Sequence, residues 1–205
     1  MKISSIKLKK PNITALFSET TQSIGTDSIK PVLSIDNEKD KPVYIDIPPS
    51  KVILLPNRGI EIIIENNRLL INDVSTEINN FKKLTDHFEK VYEVFRNLSV
   101  KAYGFNFVFI IDCDEINFNK MLSNQLNKIV GKNKILKVGN FVIFNKNDKR
   151  IQLEITSVDN SNKQLVISTN VNHSQNSIPI ESLKKDIQED YNQLKEIINQ
   201  LQDNG

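Results

Sequence analysis

The sequence predicts an α+β protein in which an antiparallel sheet carries three helices packed largely on one of its faces. Three observations favour this class. Several segments alternate apolar and polar residues with the period of a strand, three others repeat apolar residues every three or four positions like an amphipathic helix, and turn-forming residues separate neighbouring strands. A chain of 205 residues can bury one core, so we expect a single domain over residues 1–205.

The first 48 residues are weakly patterned, and we expect strands and loops there. Three short apolar stretches are predicted to be strands, at 3–8, 32–35 and 43–47. Residues 18–28 have the composition of a loop around Gly25. Pro48 and Pro49 then interrupt regular structure, because each proline lacks a backbone N–H and restricts the residue before it. The better-patterned core is expected over residues 51–201.

The pattern sharpens after Lys51. Strands are predicted at 52–55, 60–64 and 69–71. Asn66 and Asn67 separate the last two of these strands, and asparagine tolerates the left-handed backbone that a two-residue turn requires, so a β-hairpin is predicted. An amphipathic helix follows, with Ser75 or Thr76 as its N-cap and apolar positions that continue to Leu98.

A central strand is predicted over residues 100–111, because both of its faces are mostly apolar. One face carries a stripe of aromatic residues: Tyr103, Phe105, Phe107 and Phe109. Such a stripe can form a stacking platform for single-stranded nucleic acid, but that use needs a basic groove, and Lys101 is the only base in the strand. We therefore expect the stripe to lie in the core, under the preceding helix.

The second half of the chain is predicted to contain two helices and a meander. The first helix covers 114–130, with Asp114 as its N-cap and Gly131 at its end. Three antiparallel strands are expected at 135–144, 151–158 and 165–171, joined by turns at 145–149 and 159–162. The last helix runs from about Ile180 to Leu201 and has a continuous apolar stripe: Leu183, Ile187, Tyr191, Leu194, Ile198 and Leu201.

This last stripe is the candidate interface. It can pack on the protein's own sheet, pair with a second copy, or do both. Its steps of four and three approximate a heptad seam, and Ile197 widens the apolar face, whereas Asp190 interrupts it. We therefore predict a homodimer, with this helix or the edge of the meander at the interface.

The charge of the chain is nearly balanced, at +2, but it is unevenly distributed. Residues 128–150 are basic, and their candidate contacts to an anion or to nucleic acid are Lys132, Lys134, Lys137, Lys146, Lys149 and Arg150. Lysine-rich turns at the edge of a sheet are more often simply solvated. Nucleic acid is therefore not the favoured partner, and we expect any such binding to be weak and lost at modest salt.

Few residues are candidates for chemistry. Asp112, Asp114 and Glu115 lie where a strand ends and a helix is expected to begin, which is compatible with a hydrolase-type site but is explained more simply by helix-start electrostatics. Cys113 lies between two acids that raise its pKa, so a buried structural thiol is expected. The two histidines are far apart and no phosphate-binding glycine motif is present. We predict no catalytic residue, no metal site and no cofactor.

The sequence also bears on location. A single cysteine is typical of a reducing compartment, and the basic N-terminus is not followed by the apolar region of a signal peptide. The longest apolar runs fall far short of the roughly 20 residues that span a bilayer. We therefore expect a cytoplasmic protein that does not enter a membrane.

Two short segments resemble known families. Tyr103-Gly104-Phe105-Asn106-Phe107 and Ser168-Thr169-Asn170-Val171-Asn172 resemble strands of uncharacterised prokaryotic α+β families in which a hairpin and a helix precede a glycine-containing strand and a C-terminal helix closes the domain. The order of elements over 58–201 is also similar to that of SecB-type export chaperones, whose sheets and long helices associate into oligomers.

Together with the C-terminal stripe, this resemblance favours a non-enzymatic binding or assembly protein that acts as a homo-oligomer. A chaperone-like role with a protein partner is one form of that function. A hydrolase that uses the Asp112 corner and a weak nucleic-acid-binding protein that uses 128–150 are the alternatives.

Overall fold

A computed structural model describes residues 2–76, 78, 80–114, 116, 139–146, 148–158, 163–175 and 177–201. Their strands are β1 Ile3–Phe17, β2 Val43–Ile47, β3 Ser50–Leu55, β4 Ile60–Glu65, β5 Arg68–Asp73, β6 Val100–Cys113, β7 Gly139–Lys146, β8 Lys149–Ser157 and β9 Gln164–His173. Their helices are α1 Thr26–Val32, α2 Asn37–Asp40, α3 Lys82–Tyr92 and α4 Leu183–Asn199, with 3-10 turns at Pro56–Arg58 and Glu93–Phe95.

The strands form one antiparallel sheet in the order β2-β3-β4-β5-β1-β6-β9-β8-β7. The predicted α+β class is therefore confirmed in its main feature, although the sheet dominates and the helices differ from the predicted three. Strands β2 and β7 lie at the two edges. Strand β6, predicted to be central, pairs with β1 on one side and with β9 on the other.

The N-terminal strand is longer and more important than the sequence indicated. β1 continues through Pro11 to Phe17 and joins the two halves of the sheet, pairing with β5 and β6. The register with β6 shifts between Lys9 and Asn12, and Lys10 has a φ of 43°. A bulge at this place lets a strand accommodate proline, because the unpaired residue needs no backbone donor. The expected end of the strand at residue 8 was wrong for this reason.

Two short helices replace predicted loop and strand. Residues 32–35 were expected to be a strand, but α1 ends at Val32 and Ser34 has a φ of 48°. The apolar residues of this region, Ile29 and Leu33, are buried by helical spacing of four rather than by alternation. Asp36 then begins α2 by accepting hydrogen bonds from the backbone N–H groups of the second and third residues after it.

Helix α3 begins later than predicted. Ser75 and Thr76 do not cap it; Phe81 precedes its first residue, and the nearby side chain of Asn80 accepts a hydrogen bond from the N–H of Lys82 at 2.9 Å. Ser75 instead follows β5, with its N–H donating to Asp73. The predicted helix at 114–130, the start of the first meander strand and the turn at 159–162 lie outside the described residues.

The hairpins follow local turn chemistry. β4 and β5 pair up to Glu65 and Arg68, and Asn66 has the expected positive φ of 44°. β7 and β8 pair up to Lys146 and Lys149, so their turn is shorter than the predicted 145–149. This shorter turn places Lys149 within a strand.

The core lies between the sheet and the helices. The aromatic stripe of β6 is buried, as predicted, and Phe107 contacts Phe81 and Tyr191 at ring-centroid distances of 5.7 and 6.0 Å. Helix α3 and helix α4 therefore lie on this face of the sheet, and α1 packs against α3. In the part of the chain that the structure describes, no helix is long and apolar enough to cross a membrane.

Candidate binding surfaces

Helices cover one face of the sheet, and the other face carries partly exposed side chains. α3 and α4 lie on the face of Phe105, Phe107 and Phe109. The opposite face, which we call the open face, carries the alternate residues of β6: Ala102, Gly104, Asn106, Val108, Ile110 and Asp112. Of these, only Gly104 is buried, whereas the others retain intermediate exposure. The open face is therefore where the described strands present side chains to solvent.

A row of polar side chains crosses the open face. Six successive register partners on β8, β9, β6, β1, β5 and β4 form it: Gln152, Asn170, Asn106, Asn12, Asn72 and Glu61. Asn170 Nδ2 donates to Asn106 Oδ1 at 2.6 Å, and Asn106 Nδ2 donates to Asn12 Oδ1 at 2.6 Å. Asn72 Nδ2 donates to Glu61 Oε2 at 2.8 Å. These bonds cross-link neighbouring strands and stabilise the register.

A second row of side chains lies two residues further along the strands, and fewer of its polar groups form hydrogen bonds. It consists of Asn145, Arg150, Asn172, Gly104 and Thr14. Asn172 Oδ1 is buried and has no hydrogen-bond partner among the described residues. A buried, unpaired amide oxygen costs about 1–3 kcal/mol of stability, so it calls for a specific explanation.

Three pockets lie along this second row. The outer pocket, of about 550 Å³, is lined by Asn145, Lys146, Asp148, Arg150 and Ser174. The middle pocket, of about 210 Å³, is lined by Arg150, Gln152, Asn170 and Asn172. The inner pocket, of about 50 Å³, borders Thr14, Leu16, Ala102, Tyr103, Gly104, Asn170 and Asn172. Because neighbouring pockets share Arg150 or Asn170 and Asn172, they form one groove.

Gly104 forms the floor of the groove at its inner end. A Cβ atom built on this residue would lie 2.7 Å from the carbonyl oxygen of Val171, closer than real Cβ contacts come. Glycine is therefore required here by the close approach of the β9 backbone. Its missing side chain also leaves the row open between Asn172 and Thr14.

The predicted basic residues separate into three groups. Lys132, Lys134 and Lys137 lie outside the described residues. Lys146 and Arg150 are exposed and line the outer pocket. Lys149 points the other way, and its Nζ lies 2.6 Å from Asp190 Oδ1. The alternation of β8 explains the difference, because Lys149 and Arg150 lie on opposite faces of the sheet.

The acidic corner is occupied by contacts within the chain. Asp112 accepts hydrogen bonds from Ser5 at 2.6 Å, Gln164 at 2.9 Å and Lys7 at 2.9 Å. These donors, first of all Ser5, hold the pKa of Asp112 well below its usual range. The carboxylate therefore stays ionised at neutral pH and has no proton to give as a general acid.

The other members of the corner are described only in part. Asp114 Oδ1 accepts from the backbone N–H of Lys2 at 2.8 Å, and Glu115 lies outside the described residues. Cys113 is buried, as predicted, and burial, followed by Asp114 and Asp112, raises the pKa of its thiol. Among the described residues, no group of three His, Cys, Asp or Glu side chains is placed to hold a metal ion.

The stripe of helix α4 packs inside the protein. Four of its six residues are at most 1% exposed: Leu183, Ile187, Leu194 and Ile198. Tyr191 contacts the rings of Phe81, Phe107 and Phe109, and Leu201 packs on the edge of the same core. Most of the stripe's apolar area is thus already used within one chain.

Asp190, which interrupts the stripe, is also buried, at 1% exposure. Its two carboxylate oxygens lie 2.6 Å from Lys149 Nζ and 2.8 Å from His173 Nε2. The ring of His173 stacks on Tyr103 at 4.6 Å, and burial, reinforced by Asp186 and Asp190, raises the pKa of Tyr103 to about 12. The sequence indicated only that Asp190 interrupts the apolar stripe. In the structure, this carboxylate joins α4 to Lys149 of β8 and His173 of β9.

The two edge strands carry exposed apolar side chains. On β7, Phe141, Val142 and Ile143 are 56%, 49% and 43% exposed. On β2, the alternate residues Val43, Ile45 and Ile47 are 46%, 43% and 68% exposed. Among the described strands, each of these two pairs with one neighbour only, so its other side has backbone groups that no described strand pairs.

Sequence reasoning missed the amide rows of the open face. Two features of the sequence point to them: Asn106 within an apolar strand, and Asn170 and Asn172 at alternate positions of a later strand. Which asparagines meet depends on the register of six strands, however, and the sequence does not specify that register.

Comparison with known proteins adds no assignment to this geometry. No protein-family model matches the chain, and no curated protein matches it either.

Proposed function

We propose that this protein is a non-enzymatic binding and assembly protein that acts as a homodimer, with strand β7 of each copy at the interface. The observation that carries this proposal is the run of three consecutive exposed apolar residues, Phe141 to Ile143, on a strand that pairs with only one of the other described strands. Exposed apolar strands at a sheet edge are the usual template for pairing with another chain. A cytoplasmic location is part of the proposal and agrees with a single buried thiol at Cys113.

β7 is a better candidate than β2 because it lacks the features that protect an edge. β2 has the charged Asp46 as the fourth of its five residues and is followed by Pro48 and Pro49, and both features discourage pairing. β7 contains no proline, and its one charged residue is Lys146 at its end. A short, apolar, uncharged segment of this kind pairs readily with another strand.

The order of residues in β7 favours a second copy as the occupant. The apolar residues 141–144 lie in the middle of the strand, with Gly139 and Asn140 before them and Asn145 and Lys146 after them. If two copies pair antiparallel about Val142, Phe141 of each copy lies opposite Ile143 of the other. The Lys146 residues of the two copies then lie at opposite ends of the interface, far from each other. Such a contact is self-complementary, as a two-fold dimer requires.

The helix α4 has a supporting part in this proposal. Its buried stripe leaves little apolar area for a partner, but its Asp190 holds Lys149 at the start of β8. Because β8 is the only described strand paired with β7, α4 helps to fix the edge that we assign to the interface. A chaperone-like role would use the same edge, by adding an extended segment of another protein as a strand.

Cysteine cross-linking tests the proposed interface. The native thiol, Cys113, is 5% exposed, so a cysteine introduced by Val142→Cys is the reactive one. We expect a short bis-maleimide to link two copies of this variant at micromolar concentration. The matched control is Ile45→Cys on β2, which has similar exposure and lies at the other edge. Cross-linking of the control and not of the Val142 variant would reject the β7 interface.

A further inference from the structure

We propose that the groove on the open face binds a small, hydroxyl-rich anion of the size of one sugar, such as a sugar phosphate or a sugar acid. Three observations carry this proposal. A guanidinium without an acidic partner among the described residues lies where the outer and middle pockets meet, a strip of carboxamides forms the floor of the groove, and a buried amide oxygen has no donor in the described part of the chain. The proposal does not depend on the dimer.

Arg150 supplies the anion-binding group. It is exposed, lines both the outer and the middle pocket, and has no acidic partner in the described ranges. Among the described residues that line the three pockets, the one carboxylate is that of Asp148, which lines the outer pocket only. Arginine binds phosphate and carboxylate groups with two parallel hydrogen bonds, so an anionic group is expected where the two pockets meet.

The floor beyond Arg150 fits hydroxyl groups. Gln152, Asn170 and Asn172 contribute carboxamides, and the described residues that line the middle and inner pockets include no acid. A carboxamide both donates and accepts hydrogen bonds, as a sugar hydroxyl does. A ligand hydroxyl also supplies the partner that Asn172 lacks, and it satisfies this amide in either orientation because it is both donor and acceptor.

Size and shape restrict the ligand further. The middle pocket, of about 210 Å³, is smaller than the usual 300–1,000 Å³ of drug-sized sites. Tyr103 borders the inner pocket, but its ring stacks on His173 on the helix-covered face. A base therefore finds no stacking platform here, and recognition of nucleic acid is disfavoured. A single sugar with one anionic group matches the volume and the polar groups.

Titration with defined probes tests this site in the intact protein. Glucose 6-phosphate and glucuronate represent the two sources of the anionic group, and glucose and inorganic phosphate are the controls. We expect at least one of the two sugar anions to cause saturable NMR shifts of the side-chain amide signals of Gln152, Asn170 and Asn172. Glucose or phosphate alone should bind at least about tenfold more weakly, because glucose lacks the anionic group for Arg150 and phosphate lacks the sugar hydroxyls for the carboxamides.

Two variants locate the binding. Arg150→Gln removes the charge from an exposed residue and is expected to weaken binding by about tenfold or more. Lys195→Gln makes the same change of charge at an exposed position on α4 and should leave binding unaltered. The proposal is overturned if neither sugar anion shifts these amide signals, if inorganic phosphate binds as well as both, or if both variants bind equally. Displacement of a bound sugar anion by a short single-stranded oligonucleotide would assign the groove to nucleic acid instead.

Discussion

At the scale of single residues, the polar groups fall into satisfied and unsatisfied sets. Asp112, with three donors, and Asn106, bonded on both sides, are structural. Asn172 differs, because its oxygen is buried without a partner in the described part of the chain. Two asparagines on one face therefore differ in their hydrogen bonding: Asn106 cross-links strands, whereas the side-chain oxygen of Asn172 has no described partner.

His87 gives a residue-scale prediction about pH. Burial, and then the nearby cations Arg58, Lys90 and Lys83, lower its pKa below the ordinary 6.5, against the opposing effect of its hydrogen bond to the carbonyl of Lys83. The unfolded chain therefore binds the proton more readily than the folded one. The contribution of His87 to stability is present above pH 6.5 and is lost as the pH falls through the lowered folded pKa.

Urea unfolding at about pH 7.5 and about pH 5.5 measures this effect, because carboxylates titrate mainly below that window. We expect the free energy of unfolding to fall less with acidification in His87→Gln than in the wild type. An unchanged difference between the two pH values in the variant would show that His87 is not the group responsible.

At the scale of elements, the buried Asp190 links α4 to the neighbouring strands β8 and β9. Asp190→Ala removes the partner of Lys149 and His173 at once, and breaking such a buried pair costs about 3 kcal/mol or more. Glu189→Ala changes the exposed neighbour, whose pair with Lys185 is long at 3.6 Å, and should cost less than about 0.5 kcal/mol. Denaturant unfolding compares the two, and equal losses would contradict the anchoring role of Asp190.

Local chemistry explains which elements were predictable. The β4–β5 hairpin was predicted because Asn66 specifies its own turn, and the β6 stripe because its alternation is strong over many residues. The strand predicted at 3–8 was too short because a bulge, and not the end of the strand, accommodates Pro11. The helices of residues 26–40 were missed because they are short and each buries few side chains. These failures occur where tertiary contacts override a weak local signal.

The candidate surfaces were predictable only in part. Lys146 and Arg150 were predicted from local charge as candidate contacts to an anion or to nucleic acid, and both line the outer pocket. Lys149 belonged to the same segment but turns to Asp190, since a two-residue turn sets its face. The carboxamide floor brings together residues that are far apart in sequence, so its existence depends on the register of the whole sheet.

At the scale of the whole molecule, the defining feature is the antiparallel sheet of the nine described strands, with β2 and β7 at its edges. An apolar edge such as β7 exposes both side chains and backbone groups. In the proposed dimer, joining two copies at this edge covers both kinds of group.

Sedimentation of the wild type and of one edge variant tests the central claim most directly. At micromolar concentration, we expect the wild type to sediment with twice the 23.5 kDa mass of the chain and Val142→Lys to sediment as a monomer, since two lysines at the two-fold axis repel each other. Ile45→Lys, which places the same charge on β2, should remain a dimer. A wild type that is strictly monomeric, or a Val142→Lys variant that stays dimeric, would contradict the proposed assembly through β7.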